Sequence, residues 1–88
     1  MRQFNYIAKL IHEKRVATDI SQVELSRKMG YKNGQFISNV ERGLCSIPMK
    51  HVPLVAKLLK CSVMELIDAM TNDYKNSLFE VCGLEHER

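Results

Sequence analysis

No run of this sequence approaches the ~20 consecutive apolar residues that a membrane span needs. Residues 1–6 also lack the apolar stretch of a secretory signal. Both absences lead to the expectation of a cytoplasmic protein with no membrane partner. Cysteine is scarce: Cys45, Cys61 and Cys82 stand far apart, with no C-x-x-C pair. That argues against a disulfide framework and a zinc site. The plain reading of all three is small, buried or half-buried hydrophobes. Candidate nucleophiles and bases are few as well. Cys45, Cys61, His12 and His51 are the candidates, and none sits beside a supporting acid in a recognisable motif. His12 and His51 read as helix-surface residues. An enzyme is therefore not expected, and neither a metal, a cofactor nor a small-molecule ligand can be inferred. Strand-like alternation, internal repeats and low-complexity tracts are also missing.

The chain has 88 residues, which suits one domain with a small core. Its net charge is +3 with a pI of about 8.9, compatible with a polyanion partner without requiring one. The charges are unevenly placed. Residues 1–60 hold eleven Lys and Arg against four acids, Glu13, Asp19, Glu24 and Glu41. The other six acids, including Glu65, Asp68, Asp73 and Glu80, lie in the last third. The two parts are expected to face different partners.

Helical periodicity accounts for nearly the whole chain, so the fold class is all-α. Phe4, Ile7, Ala8 and Ile11 predict a helix over residues 3–15, with a connector at 16–20. Ser21 and Glu24 have the spacing of a capping box opening a helix over 22–29. Val23 is the weakest member of that helix's apolar side, beside Leu25 and Met29. Gly30 should end it. Asn33 is a suitable N-cap for a helix over 34–42, which Gly43 should stop. A fourth helix spans about 50–60 with Pro53 confined to its first turn. A second capping box, Ser62 to Glu65, opens a long fifth helix over 63–82, with Gly83 as the stop and 83–88 as a frayed tail.

The third helix is unusual. Phe36, Ile37 and Val40 form its inward side. Gln35, Ser38, Asn39 and Arg42 form its outward side, which has no acid before Glu41. Asparagine and serine stabilise a helix poorly, and amides carry both a donor and an acceptor, which suits them to reading base edges in a DNA major groove. Gln35 and Asn39 are one turn apart, and each can pair with N6 and N7 of adenine. Ser38 can meet any base edge, and Gly34 would let the start of the helix approach the DNA backbone closely. Phe36 can be core or can touch a thymine methyl, and core is favoured. Phosphate contacts would come from the start of the second helix, Ser21 and Gln22, and from Lys32, Asn33, Arg42 and Lys50. Arg27 and Lys28 read equally well as solvated charge.

Two short helices joined by a glycine-bearing turn outline a helix-turn-helix. Gln22, Leu25, Gly30, Ile37, Val40, Glu41-Arg42-Gly43, Pro48, Ala56-Lys57-Leu58, Ser62 and Glu65-Leu66 together resemble the Cro and phage-repressor helix-turn-helix family, also called the XRE family. The likeness covers about residues 3–70. It implies a five-helix phage-repressor-like domain over 1–70 that binds double-stranded DNA sequence-specifically in transcriptional control, most often as a repressor. It also implies that Arg15 pairs with Glu41 structurally, to fix how the recognition helix is presented. The sequence departs from the pattern in three places. The turn after Gly30 is one residue longer, Ser26 stands where the family commonly has alanine, and the 44–47 loop lacks lysine and arginine, which implies fewer phosphate contacts.

The last helix is longer than five-helix packing requires. Its surplus stripe of Met70, Tyr74, Leu78 and Val81 is expected to be a homodimer interface, reading half-sites ~34–36 Å apart on a palindromic operator. The alternatives are a helix folded back on its own core, or a surface for another protein, as in an antitoxin. RNA is disfavoured because no aromatic stacking platform is evident.

Overall fold

The computed structural model describes residues 3–83, and those residues contain helices and no strands. The order is α1 (Asn5–Ala17), α2 (Gln22–Lys28), α3 (Gln35–Glu41), a 3₁₀ turn (Met49–His51), α4 (Val52–Leu58) and α5 (Val63–Cys82). No helix among the described residues is long and apolar enough to cross a membrane. Residues 84–88, most of the expected frayed tail, lie outside those described.

One core joins all five helices. Ile7 and Ile11 of α1, Leu25 of α2, Ile37 and Val40 of α3, Val55 of α4, Leu59 just beyond it and Leu66 of α5 are almost wholly buried. Burial of each such side chain contributes roughly 1.5–3 kcal/mol. That exceeds the few tenths by which helix propensities differ between ordinary residues, so packing decides where the seven-residue helices form. Ile20 and Ile47 close the core from the loops.

Gly30 (φ +98°) and Gly43 (φ +79°) adopt the left-handed conformation just past α2 and α3. Asp19 (φ 58°) and Lys60 (φ 54°) do the same past α1 and α4, where no glycine marks the end. The Ser62–Glu65 box forms both of its bonds. At Ser21, the hydroxyl accepts the Glu24 N–H, the serine half of a box. Pro53 lies in the first turn of α4.

The start of α1 differs from expectation. Residues 3 and 4 are not helical; the N–H groups of Gln3 and Phe4 both donate to the carbonyl of Gly43, latching the entry segment to the end of α3. Phe4 offers no side-chain cap. Instead the Asp73 carboxylate of α5 accepts from the N–H groups of Tyr6 (2.8 Å) and Ile7 (3.0 Å). Asp73 is only 2% exposed, so this acid belongs to the interior, not to a partner-facing acidic surface. A carboxylate suits that position because the free N–H groups of a helix start carry positive charge. A second link crosses the basic and acidic parts, from Lys14 Nζ to Glu65 Oε1 at 3.3 Å.

Candidate functional site

α3 presents two unlike faces because residues three and four apart share a side. Ile37 and Val40 point into the core. Gln35 and Arg42 are exposed, and Ser38 and Asn39 are half-buried beside them. Gln35 Nε2 donates to Asn39 Oδ1 at 2.8 Å, so the two amides form one hydrogen-bonded unit along the helix surface.

Three contacts fix the start of α3. Asn33 is expected to be the N-cap, but Gly34 occupies that position; the Asn33 side chain acts from one residue earlier, its Oδ1 accepting the Gln35 N–H at 2.9 Å. Ser26, fully buried in α2, accepts the Ile37 N–H at 3.2 Å. An alanine there would leave that donor without its partner. Gly34 lies against α2: a Cβ would come within 3.0 Å of Val23 Cγ2 and 3.2 Å of the Val23 backbone nitrogen. A side chain there would press on Val23, so glycine suits the close approach of α2 to α3, a reason internal to the protein. Val23 itself is nearly half exposed.

The far end of α3 is held by Glu41. Arg15 Nε donates to Glu41 Oε2, Arg15 Nη2 donates to Oε1 at 3.1 Å, and Arg15 Nη1 donates to the carbonyl of Ile20 at 3.0 Å. Gln22 Nε2 donates to Glu41 Oε1 at 3.1 Å, and His12 Nδ1 lies 2.9 Å from the same oxygen. One carboxylate thus ties α1, α2 and α3 together. The side chains of Glu41 and Arg15 are 7% and 14% exposed. Burial alone would raise the Glu41 carboxyl, but the bonds from Arg15, His12 and Gln22 outweigh it and hold the group below its ordinary value. The same carboxylate raises the Arg15 guanidinium.

Gln22 therefore spends its side chain inside the protein, leaving its backbone for any outside contact. Ser21 is exposed but its hydroxyl caps α2. Lys32, Asn33, Arg42 and Lys50 are all exposed around α3. Phe36 is half-buried, packed on the core and stacked on Tyr31 with ring centroids 4.2 Å apart. His51 meets the other edge of Tyr31 at 6.0 Å.

Sequence reasoning missed Ser26 as an anchor, although it singled that residue out. It also missed His12 at the Glu41 cluster and Asp73. The signal for Ser26 was a hydroxyl at an apolar helix contact, a group that must find a partner when buried. His12 and Asp73 carry no such local sign, because their partners lie 29 and at least 66 residues away.

On α5 the expected interface residues divide. Met70 packs against the core and is half-buried. Tyr74, Leu78 and Val81 are exposed, Val81 by 83%. An apolar groove lined by Met49, Val52, Pro53, Ile67, Met70 and Tyr74 continues the stripe toward α4. Cys45 and Cys61 are half-buried and burial pushes their thiols up, whereas Cys82 is exposed. Among the described residues no three His, Cys, Asp or Glu side chains are grouped to hold a metal ion.

Comparison of the chain with protein-family models, with curated proteins and with solved structures gives no match.

Proposed function

We propose that the protein is a sequence-specific double-stranded DNA-binding regulator, a repressor of the Cro and phage-repressor helix-turn-helix kind, with α3 as its recognition helix. The observation that carries this reading is the outward amide pair of Gln35 and Asn39 on a helix whose opposite face is fixed from three directions. A helix fits the major groove, and groups with a donor and an acceptor discriminate base pairs there by about 1–3 kcal/mol each. Lys32, Arg42 and Lys50 supply cations to phosphates, with Ser21, Gln22 and Asn33 adding polar contacts. Ser38 completes the face toward the bases. Gln35→Ala relaxes base preference at particular operator positions. Lys32→Ala weakens binding evenly across sequences and flattens the salt slope by about one. Selection of bound duplexes from a random DNA pool, with both variants in parallel, is the test. Identical behaviour of both variants across random sequences would refute the assignment.

The exposed stripe of Tyr74, Leu78 and Val81 supports a homodimer on a palindromic operator. The same stripe also supports a second reading, a module that binds another protein through α5. Sedimentation separates them: a dimer at micromolar concentration supports the first, a monomer the second.

A further inference from the structure

The geometry points to Asn39 as a positioning residue for Gln35, so that the two amides read DNA as one unit with different tasks. This rests on α3 being the reading helix. A glutamine amide can turn over, exchanging its oxygen and nitrogen, and a turned amide presents the wrong pattern to adenine. The 2.8 Å bond from Gln35 Nε2 to Asn39 Oδ1 couples the two amides, so that one can turn over and keep the bond only if the other turns as well. With the Asn39 oxygen toward it, the Gln35 amide must offer its nitrogen. The bond costs no reading capacity. The nitrogen carries two hydrogens, one bonds to Asn39, and the other hydrogen together with Oε1 is the edge that meets N7 and N6 of adenine.

The consequence for Asn39 differs. Its oxygen already faces Gln35, so its amino group is what remains for a base. Two donors match an acceptor edge: O6 and N7 of guanine, or O4 of thymine. The coupled pair therefore selects adenine at one of the two positions, the Gln35 one in the orientation seen here, and guanine or thymine at the other. It does not select adenine at both. Neither side chain is part of the buried core, Gln35 being exposed and Asn39 half-buried.

The test is selection from a random duplex pool with the wild type, Gln35→Ala, Asn39→Ala and Asn39→Asp. The wild type should enrich adenine beside guanine or thymine. Asn39→Ala should lower the adenine preference at least about fivefold although Gln35 is intact, because the amide is no longer coupled. Asn39→Asp keeps an acceptor for the Gln35 N–H, so it should restore the adenine preference while losing the guanine or thymine preference; its charge lowers affinity for all sequences alike. Unchanged adenine preference in Asn39→Ala, or adenine enriched at both positions by the wild type, would overturn the proposal while leaving α3 as the reading helix. A wild type that enriches no sequence would overturn both.

Discussion

α3 and the last nine residues of α5 are held in place by opposite means. α3 is seven residues long, too short to persist alone. Its start is bonded to Ser26 and Asn33 and pressed on Val23, its end is bonded through Glu41 to α1 and α2, and its inner face is core. After Asp73, α5 has no buried residue. Its own backbone bonds carry it, together with a cation contact of Lys75 over Phe79 and the left-handed Gly83. The contrast teaches where side-chain choice is free. Because the rest of the chain fixes α3, its outer face can carry residues such as Ser38 and Asn39 that are poor helix formers. Because Tyr74, Leu78 and Val81 stay exposed among the described residues, they add little to the core there.

The comparison breaks most easily at Glu41. Glu41→Ala leaves a nearly buried arginine without its partner and should cost about 3 kcal/mol in urea unfolding. The same group sets an acid limit. Its folded pKa lies below the ordinary 4.5, so its stabilisation is complete above about pH 4.5 and is lost as pH falls through the lower folded value. Wild-type stability should therefore decline below about pH 4.5, and Glu41→Gln should remove that component of the decline. An unchanged acid profile in the glutamine variant would mean that other carboxylates govern acid unfolding.

Asp73 lies at the border between the two regions. Asp73→Ala strips two N–H groups at the start of α1 of their acceptor and should cost about 2 kcal/mol. Amide hydrogen exchange should report the loss first at Tyr6 and Ile7. Ser26→Ala is smaller, about 1–2 kcal/mol, since one buried donor is orphaned. It should nonetheless disturb α3 more than α5, so exchange at Ile37 should quicken while exchange in residues 74–82 stays as it was. Equal acceleration in both would show that the start of α3 is not separately anchored.

These anchors also mark how far the residues alone could be read. The period of Ile7, Ile11, Leu25, Ile37, Val40, Val55 and Leu66 was legible because helical burial repeats every three to four positions. So were Pro53, the Ser62 box and the stops at Gly30 and Gly43, which act within a few residues. The outer face of α3 was legible for the same reason: its spacing is local. The ends of α1 and α4 were less legible, since Asp19 and Lys60 are left-handed without being glycine. Least legible were the bonds of Asp73, Ser26 and His12, which depend on how helices meet. Asp73 looks like any other acid until α1 is laid across it. The pairing of Gln35 with Asn39 was within reach of a four-residue spacing, but its direction, nitrogen to oxygen, belongs to the folded side chains.

The smallest expected effect tests the other side of the comparison. Val81 is 83% exposed and touches no core. In the monomer, Val81→Lys should change stability by no more than about 0.5 kcal/mol. Concentration separates that from a role in association. If two copies pack through the stripe, wild-type unfolding must become harder as protein concentration rises, because only the folded chain dimerises. Val81→Lys places a charge in that contact, so its unfolding midpoint should be independent of concentration and should match the wild type at high dilution. Tyr74→Lys should behave in the same way, because it lies on the same exposed stripe. A loss of more than about 1 kcal/mol in Val81→Lys at high dilution would mean that the end of α5 stabilises the monomer itself, and the division between an anchored α3 and an unanchored α5 would fall.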